Sequence, residues 1–143
     1  MIRICEAHEV TEALIEAFAR LLPQLSERLT APDRETVARI VAAPATRQLT
    51  AVTDEGRIVG LLSVAFYDVP SGRKAWIEDV VVDGSMRGKS LGRALLDHAM
   101  GYARRMSPAT LMLTSRPSRA AANALYLAAG FEPKETNVYK IEL

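Results

Sequence analysis

The chain has 143 residues, a net charge of +1 and 49% hydrophobic residues. This length predicts one domain, residues 1–143, and a chain of this size buries about 68–70% of its unfolded surface. The balanced charge and the low aromatic content disfavour nucleic acid as a partner. No apolar run is long enough to span a bilayer and no signal pattern is visible, so we expect no membrane partner and a cytoplasmic location.

The cysteine and histidine content disfavours both a disulfide framework and a metal site. Cys5 is the only cysteine, so an internal disulfide is excluded. The two histidines, His8 and His98, do not form a zinc-ligand spacing with it. Cys5 follows Ile2 and Ile4 in a pattern typical of strand packing, and we expect no metal.

The first half of the chain predicts a short strand, two helices and a hairpin. Apolar residues at helical spacing mark the helices, and prolines end them. A turn at 54–57 joins two strand patterns. The predicted elements are a strand Met1–Cys5, a helix from Val10 to about Pro23, a helix from Asp33 to Pro44, and strands Gln48–Thr53 and Ile58–Tyr67.

The second half predicts strands that alternate with helices. Hairpins followed by strand–helix–strand units are typical of a mixed α/β fold with one central sheet. The predicted elements are a strand Trp76–Val82, a helix Ser90–Arg105, a strand Leu111–Thr114, a helix from Pro117 to a stop at Gly130, and closing strands Phe131–Pro133 and Asn137–Leu143.

A basic, glycine-containing turn, Arg87-Gly88-Lys89-Ser90-Leu91-Gly92-Arg93, lies between the Trp76–Val82 strand and the following helix. The first N–H groups of a helix have no partners within it, and the helix dipole adds positive charge there. Together with the basic side chains these features predict a site for a phosphate or pyrophosphate. A solvated basic loop is the alternative. A nucleotide-binding P-loop is disfavoured, because its pattern requires glycine where Asp83 stands.

The order of elements and two motifs resemble the GNAT superfamily of N-acetyltransferases. The turn resembles the family's Gln/Arg-x-x-Gly-x-Gly/Ala motif, with Ser90 in place of the usual glycine, and the segment from Leu125-Tyr126 to Gly130-Phe131 resembles a second family motif. Residues 77–92 are also similar to glucosamine-6-phosphate N-acetyltransferases. The resemblance implies a central mixed, mostly antiparallel sheet flanked by about four helices, and acetyl-CoA as cosubstrate.

The resemblance implies roles for particular residues in holding acetyl-CoA. The turn would hold the pyrophosphate through backbone N–H groups, and the Ser90 side chain would cap the helix or touch a phosphate. Arg119 stands where many members have an asparagine that contacts the pantetheine arm, so Asn123 is another candidate. Arg116 and Arg119 would meet the adenosine 3′-phosphate or stay solvated. The predicted binding residues are Val80, Val82, Arg87, Gly88, Lys89, Ser90, Leu91, Gly92, Arg93, Arg119, Asn123 and Tyr126.

Two residues are candidates for the chemistry. By resemblance, the Tyr126 hydroxyl protonates the leaving thiolate, and a packed core tyrosine is the alternative. Glu78 alternates with Trp76 and Val80, so we expect all three on one face of their strand, with Asp79 on the other. A carboxylate among apolar neighbours has a raised pKa, which suits a base acting directly or through water. A family bulge in this strand would change which residue faces the site.

These observations predict an acetyl-CoA-dependent N-acetyltransferase that transfers the acetyl group directly to a primary amine in a ternary complex. The acceptor would be a small molecule or a protein or peptide amine. The alternatives are a catalytically silent acyl-CoA sensor and a protein-interaction domain. Many relatives pair through their closing strands, so the resemblance also implies a homodimer.

Overall fold

A computed structural model describes residues 1–108 and 110–143. Within these ranges the chain forms strands, α-helices and one short 3₁₀ turn. The elements are β1 (Arg3–Glu6), α1 (Glu12–Leu25), α2 (Arg34–Ala42), β2 (Thr46–Val52), β3 (Ile58–Val69), β4 (Gly72–Val82), the 3₁₀ turn (Gly84–Met86), α3 (Leu91–Met106), β5 (Thr110–Met112) and α4 (Ala120–Ala128). None of the helices in the described ranges is long and apolar enough to cross a bilayer.

The strands form one sheet in the order β1-β2-β3-β4-β5. Neighbours from β1 to β4 are antiparallel, and β5 is parallel to β4 because helix α3 crosses over between them. The predicted hairpin is β2–β3, with Thr50 opposite Leu61. The prediction of a mixed, mostly antiparallel sheet is therefore confirmed.

Two hydrophobic clusters cover the two faces of the sheet. On one face α1 and α2 bury Leu14 and Val37 against Leu61 of β3. On the other face α3 and α4 bury Leu95 and Tyr126, and β3 contributes Leu62 to the same cluster. Burial of each large aliphatic side chain contributes about 1.5–3 kcal/mol. These clusters fix α3 and α4 on one side of the sheet and α1 on the other.

One predicted helix bound is wrong. Helix α1 ends at Leu25, near Pro23 as predicted, and its last turn tolerates that proline because only one backbone hydrogen bond is lost. Helix α4 begins at Ala120, three residues after Pro117, because a turn comes first in which the Arg119 N–H donates to the Arg116 carbonyl at 3.0 Å. Gly130, with φ +102°, follows the end of α4 as predicted.

A bulge interrupts β4 next to β3. Ser63 is opposite Glu78 and Leu61 is opposite Val81, so one β3 residue faces two on β4. Asp79 is one of these two, and its backbone has φ +51°. The extra residue reverses the alternation, so the expectation that Glu78 and Val80 share a face is wrong. Val80 packs with the cluster on the α3 side of the sheet, as Ile77 does.

The predicted closing strands are also wrong, since residues 129–143 contain no helix or strand. Val138, Tyr139 and Ile141 have exposed fractions of 74%, 88% and 79%. Alternating apolar residues form a strand only when a sheet edge supplies backbone hydrogen bonds. In the described ranges this segment pairs with no strand.

Candidate active site

A groove opens where β4 and β5 diverge. Strand β5 pairs with β4 only along Lys74–Trp76, so in the described ranges the β4 edge from Ile77 to Val82 has no strand partner on that side. The groove has a volume of about 610 Å³, with Val80 and Val82 on its β4 side and Tyr126 on its α4 side. Unpaired strand edges present N–H and C=O groups that bind extended ligands with amide groups.

The glycine-containing turn closes one end of the groove at the start of α3. Gly88 has φ +80° and Ser90 has φ +61°, both left-handed conformations that favour glycine. The Ser90 side chain makes no capping hydrogen bond, so the prediction that it caps α3 is wrong. The first N–H groups of α3, from Leu91 onward, therefore remain without a side-chain cap and are available to an anion at the groove.

Helix α1 holds in place the 3₁₀ turn that leads into this glycine-containing turn. Asp83 is only 7% exposed, and its Oδ2 accepts a hydrogen bond from Arg20 Nη1 at 2.8 Å. Gln24 Oε1 accepts from the Gly84 N–H at 2.8 Å. The backbone N–H of Ser85 and the Arg20 guanidinium hold the pKa of Asp83 below its usual range, against the effect of burial. Sequence reasoning missed these anchors, because Asp83 was considered only as a mismatch to a P-loop.

All but two of the residues predicted to bind acetyl-CoA line the groove. Lys89 is exposed outside it. Asn123 is also outside, since its side-chain amide donates to the carbonyls of Arg116 and Arg119 at 2.9 and 2.8 Å. Asn123 thus holds the turn before α4. The residues in the groove are Val80, Val82, Arg87, Gly88, Ser90, Leu91, Gly92, Arg93, Arg119 and Tyr126.

A second cavity, of about 580 Å³, shares a wall with the groove. Glu78 and Asp79 line this cavity, and Val80, Arg119 and Tyr126 line both. We call it the carboxylate cavity. The connector after α1 contributes part of the lining of the carboxylate cavity. The sequence did not predict this contribution, because the connector contains no recognisable motif. The connector residues are Ser26 and Leu29.

Tyr126 is only 6% exposed, and its ring packs against Phe131 with 6.2 Å between ring centroids. Its hydroxyl makes no hydrogen bond to another described residue. Burial raises the pKa of Tyr126, and the Arg119 charge offsets part of this effect. The hydroxyl is therefore protonated at neutral pH and free to donate a proton into either cavity.

Glu78 and Asp79 are both open to solvent on the wall of the carboxylate cavity. Partial burial still raises the pKa of Glu78, and the negative charge of Asp79 raises it further. A carboxylate with a raised pKa is a stronger base than one free in water. The arrangement thus offers a proton acceptor in one cavity and a proton donor on the wall that the two cavities share.

Comparisons with known proteins identify the family and the fold of this chain. Residues 8–131 match the family model described as the acetyltransferase (GNAT) family. None of the curated proteins compared with the chain matches it. An acetyltransferase from Trypanosoma brucei has a similar structure, with 24% identity, a TM-score of 0.80 and coverage of 100% of both chains.

Two further solved structures share the fold. A glucosamine-6-phosphate N-acetyltransferase from Arabidopsis thaliana has 22% identity and a TM-score of 0.81, over 99% of this chain and 98% of that one. An aminoglycoside acetyltransferase from an uncultured soil metagenomic sample has 16% identity and a TM-score of 0.86, over 99% of this chain and 95% of that one. Since the family model spans most of the sequence, the chain belongs to the GNAT acetyltransferase family.

Proposed function

We propose that this acetyltransferase moves the acetyl group of acetyl-CoA directly to a primary amine within a ternary complex. The family uses acetyl-CoA as its cosubstrate. The observation that carries the proposal is the position of Tyr126 on the wall shared by the groove and the carboxylate cavity. A proton donor at that wall can serve a reaction between molecules that enter from the two sides.

The residues of the groove fit acetyl-CoA. The free edge of β4 at Val80 and Val82 offers backbone groups to the amides of a pantetheine arm. The first turn of α3 and the Arg87 side chain suit a pyrophosphate. When bound there, acetyl-CoA supplies a thioester as the acetyl donor.

The proposed chemistry uses Glu78 and Tyr126 on the two reacting groups. Glu78 takes a proton from the attacking amine, directly or through water, as the C–N bond forms. The Tyr126 hydroxyl gives its proton to the sulfur as the C–S bond breaks. Positioning of the two reactants supplies up to about 7–11 kcal/mol of the acceleration. This route needs no covalent acetyl-enzyme.

A small-molecule amine is the acceptor that the comparisons favour. Two structural neighbours are named for an aminoglycoside and for glucosamine 6-phosphate. Both fall below 25% identity to this chain, so they support a class of acceptor and not a specific compound. A peptide with a free amine therefore belongs in the same acceptor panel.

The decisive experiment measures thiol release from acetyl-CoA across a panel of amines, with an amine-free reaction as the control. Amine-dependent thiol release and an acetylated product are expected. Binding of acetyl-CoA without release for any amine would instead favour the silent sensor. Intersecting initial-velocity lines are expected for a ternary complex. Parallel lines with an acetylated protein in mass spectra would contradict direct transfer.

We also propose a homodimer formed through the exposed C-terminal segment, residues 137–143. Val138, Tyr139 and Ile141 expose apolar surface that a partner chain would cover. Light scattering at micromolar concentration is expected to give twice the monomer mass, and removal of residues 137–143 should give the monomer. A wild-type protein that is monomeric at this concentration would reject the dimer. Cytoplasmic location stays a prediction from the sequence.

A further inference from the structure

Arginines without an acidic partner are concentrated near the candidate active site. Of the fourteen arginines, half form an ion pair with an acidic side chain in the described ranges. Four of the others line the groove, the carboxylate cavity or a third cavity beside them. These are Arg28, Arg87, Arg116 and Arg119.

The third cavity, of about 630 Å³, brings together Arg28, Arg87 and Arg116 from three separate segments. Arg28 belongs to the connector after α1, Arg87 to the turn before α3, and Arg116 to the loop after β5. Glu27 is the one acidic residue among the described residues that line it. The C-terminal end of α1 also lies here, but a helix end carries only about half a negative charge. The cavity is therefore strongly cationic, and we call it the arginine cavity.

The arginine cavity adjoins both of the others, because it has lining residues in common with each. It shares Ser26 and Arg116 with the carboxylate cavity, and Gln24 and Arg87 with the groove. Arg28 lines only the arginine cavity, so it lies outside the groove that suits acetyl-CoA. A ligand in the carboxylate cavity can thus extend past Arg116 toward Arg28.

We propose that the acceptor is a primary amine that also carries an anionic group, a phosphate or a carboxylate, which Arg28 and Arg116 bind. The amine lies at Glu78 and Asp79, and the anionic group lies in the arginine cavity. Guanidinium groups bind both anions through paired, charge-assisted hydrogen bonds. This inference rests on the proposed amine acetylation and specifies the class of its acceptor.

Matched acceptor pairs test this inference in the thiol-release assay. The pairs are O-phosphoethanolamine with ethanolamine, glucosamine 6-phosphate with glucosamine, and 4-aminobutanoate with 4-aminobutanamide. We expect kcat/KM to be higher for the anionic member by a factor of roughly ten or more, as for a hydrogen bond to a charged group. This preference should appear in the phosphate pairs, in the carboxylate pair or in both. The pairs that show this preference identify which anion the arginines bind.

Two variants connect the preference to the arginines. Arg28→Gln and Arg116→Gln should each reduce the anionic-to-neutral ratio of kcat/KM roughly tenfold, mainly through the KM of the anionic acceptor. Arg104→Gln is the matched control, because Arg104 is exposed and lines a different cavity, near β5 and the end of α3. It should leave the ratio unchanged.

Equal kcat/KM within every pair would overturn the inference, and so would a preference that both variants retain. A higher KM for acetyl-CoA in both variants, with the acceptor ratio unchanged, would assign these arginines to the phosphates of the cosubstrate and also overturn it. If no amine is acetylated, the proposed function fails separately. Calorimetric titration of the three anionic amines into the protein with CoA then tests the anion site by itself. Binding that Arg28→Gln weakens supports that site. Binding that Arg28→Gln leaves unchanged, or no binding to the wild type, overturns it.

Discussion

Glu78 lies directly opposite Ser63 in the β3–β4 ladder, at the last regular pair before the bulge. The Ser63 hydroxyl donates to Gln48 Oε1 at 2.8 Å, so it is already engaged on β2. No described side chain donates a hydrogen bond to Glu78. Without such donors nothing offsets partial burial and the negative charge of Asp79, which both raise the pKa of Glu78. Among the described residues, the sheet thus leaves the Glu78 carboxylate without a hydrogen-bond donor, which suits its proposed role as a base.

Glu78→Gln should lower turnover and leave acetyl-CoA affinity nearly intact. The substitution keeps the size of the side chain and removes only its capacity to take a proton. General bases typically contribute ~10²–10⁴-fold to the rate. We expect a fall in kcat within that range at neutral pH, and a smaller fall at higher pH, where more of the amine is already neutral.

Steady-state kinetics across pH, with calorimetric titration of acetyl-CoA, measures both effects. Glu55→Gln is the control, because Glu55 is exposed in the β2–β3 turn, outside the three cavities of the candidate site. Full activity of Glu78→Gln at neutral pH would indicate that Asp79 or a water molecule, and not Glu78, acts as the base.

Asp79→Asn should shift the pH dependence and preserve the bulge. Asparagine tolerates the left-handed conformation that this position requires, φ +51°. The negative charge of Asp79 is the second cause of the raised pKa of Glu78. Without that charge the pKa of Glu78 falls, so Glu78 stays deprotonated to lower pH.

The acidic limb of the kcat/KM profile should therefore move to lower pH in Asp79→Asn. A profile from pH 4 to 9 on wild type and variant measures this shift. An unmoved limb would show that a group other than Glu78 controls it. A limb that moves to higher pH would contradict the assigned sign of the Asp79 effect.

The sequence predicted those features that local patterns determine. The glycine-containing turn before α3 and the stop at Gly130 depend on glycine conformations, which are visible in a short window. The bulge at Asp79 is different, because one extra residue in β4 is defined only by its pairing with β3. Strict alternation therefore placed Val80 on the wrong face.

Other parts of the site depend on contacts distant in sequence. Arg20 and Asp83 are 63 residues apart, and no local pattern connects them. The connector residues Ser26 and Leu29 reach the carboxylate cavity only because α1 packs across β3 and β4. The prediction of closing strands was wrong for a related reason, since an alternating pattern does not specify which sheet edge the segment pairs with.

Gly88→Ala should weaken acetyl-CoA binding through the conformation of the turn. A Cβ at Gly88 would meet no described atom within 4 Å, but the residue has φ +80°, which alanine adopts at a cost of about 1 kcal/mol. Gly56→Ala is a matched control, with φ +85° and equally open space in the β2–β3 turn. Both variants should lose similar stability.

Only Gly88→Ala should raise the dissociation constant of acetyl-CoA, as measured by calorimetry alongside melting temperature. Equal acetyl-CoA affinities in the two variants would show that the turn is not part of the acetyl-CoA site. Gly92→Asp is a less specific test, although bulk and negative charge there should also weaken binding. The Cβ of residue 92 would lie 3.1 Å from Leu125 Cδ2, so packing between α3 and α4 would change as well.

Tyr126→Phe should separate catalysis from packing. The ring remains packed against Phe131, and no described residue loses a hydrogen-bond partner, because the hydroxyl has none. Melting temperature and acetyl-CoA affinity should therefore change little. Turnover should fall roughly 10²-fold or more if the hydroxyl protonates the leaving thiolate.

The leaving group provides an internal control for this assignment. An acetyl thioester of a more acidic thiol, such as thiophenol, needs less help from a proton donor, so the Tyr126→Phe defect should shrink with it. A defect of equal size for both thioesters would indicate a positioning role. A variant that is less stable by about 1 kcal/mol yet fully active with acetyl-CoA would show that Tyr126 is a packing residue and not the proton donor.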